Sequence, residues 1–258
     1  MKLNICHLYP DLLNLYGDRG NIRCLVQRLA WRGIGADVIE LPLGETADFT
    51  RFDLFFLGGG QDFEQEVLLA DLARGKADAI RAAVSDEKVF LAICGGYQML
   101  GTYYRTHDGH QCDFVGAVDL HTIGSRTRMI GNYAFRCAPE SSGSMVVGFE
   151  NHSGKTWLGE GVSPLGWIAH GFGNNGEDGT EGVRYKNVFG TYSHGPVLPK
   201  NPAFCDCVLL AALRRRYPDA ALPPLDDALE LAAHDHMLHR LCGHGPTSAP
   251  AGPGGALL

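Results

Sequence analysis

The sequence predicts an α/β fold: a mostly parallel sheet with helices on both faces. Three observations carry this. Strand-like and helix-like segments alternate through the first part of the chain. Two short apolar runs, 53–57 and Val89–Ile93, read as strands, the second as a central strand buried on both faces. Each runs into glycine, as Gly58-Gly59-Gly60 after the first and Gly95-Gly96 just past Cys94 after the second. Strand ends of this kind are the edge on which open parallel sheets carry their sites.

Taken in order, residues 3–9 form the first strand. The polar turn Tyr16-Gly17-Asp18-Arg19-Gly20 leads into an amphipathic helix over 21–32, which Gly33 and Gly35 end, and 36–41 form a second strand. The strand at 53–57 is followed by a helical pattern over 63–85, broken near Gly75, and then by the central strand Val89–Ile93. From 114 to 191, glycines, β-branched residues and turn signals dominate, which predicts antiparallel additions to the sheet. Helices follow over about 202–216 and 225–241. The segment 243–258, rich in Gly, Pro and Ala, reads as a disordered tail without a role. With no internal repeat and no linker, one domain is expected over 1–242.

Composition excludes several function classes. The chain has 258 residues, 45% hydrophobic and 20% charged, as an ordinary globular protein does. No apolar stretch approaches the roughly 20 residues that span a bilayer, and the N-terminus lacks an apolar signal core, so a cytoplasmic protein without membrane insertion is expected. A net charge of −7 argues against nucleic acid or an anionic membrane as the main partner. None of the eight cysteines forms a Cys-x-x-Cys pair, so no structural zinc is expected and most read as reduced, buried side chains. His234, His236 and His239 lack a carboxylate framework and read as a solvated or interface face rather than a metal site.

Cys94 is the feature with the most chemical content. A nucleophile on a sharp strand-to-helix turn is held strained and exposed above the sheet, and Gly95 and Gly96 supply the small neighbours that turn needs. The following helix aims its positive end at the sulfur and favours thiolate. Its N–H groups, that of Gly95 above all, can stabilise an oxyanion. A buried core thiol is the ordinary state of a cysteine, but such a thiol does not require this turn. A thiolate nucleophile needs a base, normally histidine. Among 11 histidines, His194 stands at the end of the strand-like run 188–192, and His152, in the run 150–154, competes with it. Gly58-Gly59-Gly60 lacks the spacing of a P-loop or a dinucleotide fingerprint, but leaves backbone N–H groups open to a developing charge.

Cys94-Gly95-Gly96-Tyr97-Gln98, Gly58-Gly59-Gly60 and a late strand-end histidine resemble the class I, triad-type glutamine amidotransferases, which have a flavodoxin-like fold. The subgroup that fits is similar to the cobyric acid synthase (CobB/CobQ-like) glutaminases. The runs 9–22, 148–154, 173–179 and 190–202 resemble, within it, the GatD family of glutaminase subunits of lipid II isoglutaminyl synthase. The likeness extends over about 3–241.

That resemblance implies hydrolysis of L-glutamine to glutamate and ammonia through a thioester on Cys94, with His194 as base. It implies Arg128 as the substrate-binding arginine, whose guanidinium fork suits the α-carboxylate. Gln98 is expected to help hold glutamine, and Gly95 with Gly59 or Gly60 to form the oxyanion hole. It also implies a heterodimer with a MurT-like Mur ligase. That partner would use ATP and Mg to activate the D-glutamate α-carboxyl of lipid II, whose amidation to D-isoglutamine belongs to peptidoglycan biosynthesis. No cofactor is expected in this subunit. One departure stands out. Triad-type members usually carry His-Pro-Glu, whereas this chain has His194-Gly195-Pro196, so the group that orients the histidine must lie elsewhere in the chain or come from the partner. Other readings of the same residues are a glutaminase feeding a different synthetase, a cysteine peptidase or γ-glutamyl hydrolase, and a non-catalytic binding module.

Overall fold

A computed structural model describes residues 1–60 and 62–243, with residues 62–66 as backbone only. The expected tail lies, from residue 244 on, outside the described residues. The chain begins with β1 (Lys2–Leu8), α1 (Arg19–Ala30), β2 (Gly35–Leu41) and β3 (Leu54–Leu57). Next come α2 (Asp62–Asp71) and α3 (Ala77–Ser85), joined by a π turn in which Gly75 has φ +105°, which is the expected break. Then follow β4 (Val89–Ile93) and a short α4 (Gly95–Met99). The middle of the chain holds β5 (Tyr103–Arg105), β6 (Gln111–Asp113), β7 (Leu120–Cys137), β8 (Met145–Leu158), β9 (Gly166–His170), β10 (Thr180–Glu181), β11 (Val183–Tyr185) and β12 (Val188–Thr191). The last helices are α5 (Pro202–Arg216) and α6 (Ala228–Cys242).

The main sheet has the order β11-β12-β4-β3-β1-β2. All its pairings are parallel except β11 with β12. Every residue of β3, β4 and β12 is buried, and Phe55 stacks on Phe90 with centroids 4.6 Å apart, so the middle of the sheet is also the middle of the core. The chain leaves β1 to one side for β2 and returns on the other side for β3. The carboxyl ends of β1 and β3 therefore flank a topological switch point, where open sheets place ligands. Arg28 of α1, almost fully buried, pairs with Asp206 of α5 (Nε–Oδ1 2.8 Å) and with Asp227 just before α6 (Nη1–Oδ1 2.5 Å).

The expectation that 114–191 would extend the one sheet needs correction. Only β11 and β12 join it. The remaining strands form a second sheet, β10-β9-β7-β5-β6, with β8 paired to β7. Its axis is the long antiparallel pair β7 and β8, in register from Leu120↔Leu158 to Arg136↔Met145 except for an irregularity between Gly124 and Met129. Long strands need not close on the parallel sheet when they can pair with each other. Here they meet it at one isolated bridge, where Phe149 and His194 exchange backbone hydrogen bonds (2.8 and 3.3 Å). Asn201 adds a second tie, accepting from Val147 N–H and donating to Val147 C=O, both at 2.9 Å.

Candidate active site

Four parallel-strand ends converge. The strand β4 stops at Cys94, whose backbone (φ 48°, ψ −108°) is one that non-glycine residues rarely adopt, and whose N–H is fixed to Thr191 C=O at 2.8 Å. Gly96 makes this turn fit: a Cβ there would stand 2.7 Å from both Gly58 O and Leu57 Cβ. α4 starts directly behind the sulfur, and the N–H of Gly95, in its first turn, has no intrahelical acceptor.

His194 follows β12 and is fully buried. Its Nδ1 donates to Asp18 Oδ2 at 3.1 Å, and Asp18, also fully buried, sits at the start of α1 beyond the carboxyl end of β1. The Nε2 atom has no hydrogen-bond partner of its own and is left for Cys94. Burial alone would push the imidazole pKa down. The charge on Cys94 and the hydrogen bond to Asp18 overcome it and raise the pKa to about 10, which keeps a proton on His194 at neutral pH. Asp18 is therefore the in-chain carboxylate that holds this histidine, in the place where His-Pro-Glu would have supplied one.

The glycine run serves close approach more than donation. A Cβ on Gly58 would lie 2.0 Å from Leu13 O, and one on Gly59 would lie 2.4 Å from His194 Cε1. The expectation of Gly59 as an oxyanion donor is corrected, because its N–H is already given to Asp18 Oδ2 at 2.8 Å. Gly60 lines the cavity and remains, with Gly95, a candidate donor.

A cavity of about 390 Å³ opens over Cys94. Gln98, Arg128 and His152 line it. Arg128 lies at the end of the irregular stretch of β7, whose bulge turns the exposed side chain toward the cavity. Gln98 is buried and donates through Nε2 to Tyr192 Oη at 2.9 Å, which also meets Thr156 Oγ1 at 2.6 Å, so it braces α4 against β8 and the end of β12. His152 stacks flat on Tyr192 (3.6 Å, 6°), with Nδ1 on Gly154 O at 2.8 Å and Nε2 3.6 Å from Glu150. It forms a wall of the cavity, while His194 is the histidine whose charge is coupled to Cys94.

Several supporting residues escaped sequence reasoning. Asp18 looked like part of a polar turn. The signal available was an acidic residue in the loop that leaves the first parallel strand, at the site-bearing edge. Tyr16 stands with φ +54° and meets the His194 ring in a T-shaped contact, centroids 5.0 Å apart. Asn174 links the 173–179 loop to the nucleophile helix by accepting from Tyr97 Oη (3.1 Å) and Gly182 N–H (2.9 Å). Glu181, fully buried beneath the strand end that carries His194, accepts from Thr191 Oγ1 (2.6 Å) and Tyr192 N–H (2.9 Å), and burial raises its carboxyl pKa to about 7. Among the described residues no group of His, Cys, Asp and Glu converges as a metal site, and no helix is long and apolar enough to cross a membrane.

The CobB/CobQ-like glutamine amidotransferase domain matches residues 4–202. The chain is 40% identical over 230 residues to the lipid II isoglutaminyl synthase (glutamine-hydrolyzing) subunit GatD of Streptococcus pneumoniae, covering 88% of this chain and 87% of that one. It is 38% identical over 239 residues to the subunit of the same name in Staphylococcus aureus, covering 93% and 96%. A probable cobyric acid synthase of Methanothermobacter thermautotrophicus is 33% identical over 204 residues, which is 70% of this chain and 39% of that one. Among solved structures, PurLQS from Thermotoga maritima aligns with a TM-score of 0.55 at 16% identity, covering 84% of this chain and 100% of that one. The glutaminase domain of Trypanosoma brucei CTPS with bound acivicin aligns with a TM-score of 0.54 at 13% identity, covering 86% and 96%. At such identities the structural likeness bears on the fold.

Proposed function

This chain belongs to the CobB/CobQ-like glutamine amidotransferases, and from that membership we propose that it is the glutamine-hydrolysing subunit of a lipid II isoglutaminyl synthase. The observation that carries the reading is the line Asp18, His194, Cys94, which reaches at Cys94 a cavity whose wall presents Arg128.

In the proposed reaction the Cys94 thiolate attacks the γ-carboxamide carbon of L-glutamine. Charge builds on the carbonyl oxygen, and the N–H groups of Gly95 and Gly60 face it. His194, held protonated, gives its Nε2 proton to the departing nitrogen, which leaves as ammonia, and a γ-glutamyl thioester remains on Cys94. Water then yields a proton to His194 and its oxygen to the acyl carbon, releasing glutamate and restoring the thiolate. Asp18 does not exchange a proton in this cycle. It fixes the tautomer and the ring orientation, as the carboxylate of a triad does. Arg128 binds the α-carboxylate, and Gln98 shapes the wall beside it. The ammonia passes to a MurT-like, ATP- and Mg-dependent ligase subunit that amidates the D-glutamate α-carboxyl of lipid II. We place this in the cytoplasm, where eight free thiols stay reduced.

Ammonia release from L-glutamine by the purified chain and its co-purifying ligase tests the reading. Cys94→Ala is expected to abolish it and His194→Ala to reduce it by orders of magnitude, because the two act as a unit. Undiminished turnover by Cys94→Ala would end the proposal. Co-purification of a synthetase unrelated to Mur ligases would redirect the ammonia and leave the hydrolysis intact.

A further inference from the structure

At the mouth of the cavity three side chains form an arch. Arg128 donates through Nε to Asn151 Oδ1, and Asn151 donates through Nδ2 to Tyr16 Oη. The arch is anchored to the catalytic histidine at two points. Tyr16 meets the His194 ring in a T-shaped contact, and Asn151 lies two residues beyond Phe149, whose backbone bridges His194. Tyr16 also packs edge-on to Phe149, centroids 5.5 Å apart, and holds a left-handed backbone to do so. Side chains held at such a conformation cluster at sites where position matters.

The chemistry of Asn151 is specific. An arginine can only donate, so the amide must turn its oxygen to Arg128 and its NH2 to the tyrosine. Using Nε leaves the two Nη groups of the fork for another ligand. Among the described residues Arg128 has this one hydrogen bond and no carboxylate within ion-pair distance. The arginine is thus held in place by a neutral acceptor, and no described carboxylate compensates its charge at the cavity wall. An aspartate at 151 would have the same shape and would hold the arginine more strongly, but would neutralise it.

We infer that Asn151 is a positioning and specificity-determining residue: it fixes Arg128 without discharging it, and so makes the site select amides that carry an α-carboxylate. This rests on the glutaminase reading and adds to it the means of substrate selection. Tyr16 completes the arch by fixing the amide of Asn151 relative to His194.

The test measures kcat and KM of the full chain, with its partner where it co-purifies, for L-glutamine and for γ-aminobutyramide, which is glutamine without the α-carboxylate. Asn151→Asp and Asn151→Ala are each expected to raise KM for L-glutamine by roughly 10- to 100-fold, the range of one charge-assisted hydrogen bond, with kcat changed far less. Both should narrow the preference for L-glutamine over the decarboxylated amide. Tyr16→Phe, which keeps the ring against His194 and loses only the acceptor, should raise KM by a smaller factor. If Asn151 merely supported the wall, the isosteric aspartate would match the parent chain in KM and in preference, and that result would overturn the inference. A parent chain that turns over no glutamine would remove the glutaminase reading, and this inference with it.

Discussion

The two sides of the cavity are built on different principles. The floor is made by parallel strand ends: Cys94, His194 and Asp18 are buried, and each is fixed by backbone through Thr191 C=O, the Phe149 bridge and the Gly59 N–H. The wall is made by the antiparallel pair β7 and β8, where the side chains of exposed Arg128 and half-buried Asn151 are held by other side chains. A floor built from buried backbone geometry fixes reacting atoms. A wall built from exposed side chains recognises what approaches and can change without disturbing the chemistry. Substitutions on the floor should therefore act on kcat, and substitutions on the wall on KM.

The sharpest way to break this division is Asp18→Asn. It preserves shape but offers an amide to His194 Nδ1 in place of a carboxylate, so kcat should fall by a factor on the order of 10³ while KM for glutamine changes little. The alkaline limb of kcat/KM carries a second readout. His194 keeps its proton up to about pH 10, so the acid form is present below that value and is lost as pH rises through it. Because Asp18 is one of the groups that raise this pKa, the limb should move to lower pH in Asp18→Asn. An unmoved limb with full activity would assign the orientation of His194 to another group, such as one from the partner.

Arg128→Ala addresses the wall. KM for L-glutamine is expected to rise by roughly 10-fold or more, with kcat less affected, as steady-state kinetics would report. Equal losses in kcat and kcat/KM would place Arg128 in the chemistry instead of in binding.

The smallest expected effect concerns stability. Glu181 supports the strand end beneath His194, and burial raises its folded pKa from about 4.5 to about 7. The folded state then binds the proton more tightly than the unfolded chain, so this group lowers stability progressively as pH rises from about 4.5 through 7. Glu181→Gln should remove that slope, and thermal melts at intervals across this range measure it. His7 opposes it in the same window: it is buried with neither ring nitrogen hydrogen-bonded, and burial lowers its pKa to about 4, so its contribution is lost as pH falls from about 6.5 toward 4. The readout is accordingly the difference between parent and variant melting temperatures. A difference that does not grow with pH would contradict the assignment.

The floor was far more legible in the sequence than the wall, and the contrast has a physical cause. Strands buried on both faces must be continuously apolar, so 53–57 and Val89–Ile93 announced themselves, and a Cys followed by two glycines marked the turn between them and the site. Strands β7 and β8 bury one face unevenly and carry glycine and charge throughout, so they read only as antiparallel material, and their formation of a separate sheet was not visible. Arg128 had no local signal and entered through family resemblance. Asp18 lay in full view within Tyr16-Gly17-Asp18-Arg19, but its partner is 176 residues away, and no periodicity reports a contact of that range. The glycines at 58–60 were seen and partly misread. Their N–H groups suggested an oxyanion hole, whereas Gly59 is needed chiefly for its missing Cβ, which lets His194 and Asp18 close on each other.

The central claim is that Cys94 is activated by a His194 that this chain's own Asp18 orients. Its most direct test is to react the chain with a diazo-ketone analogue of L-glutamine and map the adduct by mass spectrometry over time. The expected result is a single adduct on Cys94, none on the other seven cysteines, formed much more slowly in Asp18→Asn. Labelling of a different residue, or labelling of Cys94 at the same rate in Asp18→Asn, would contradict it.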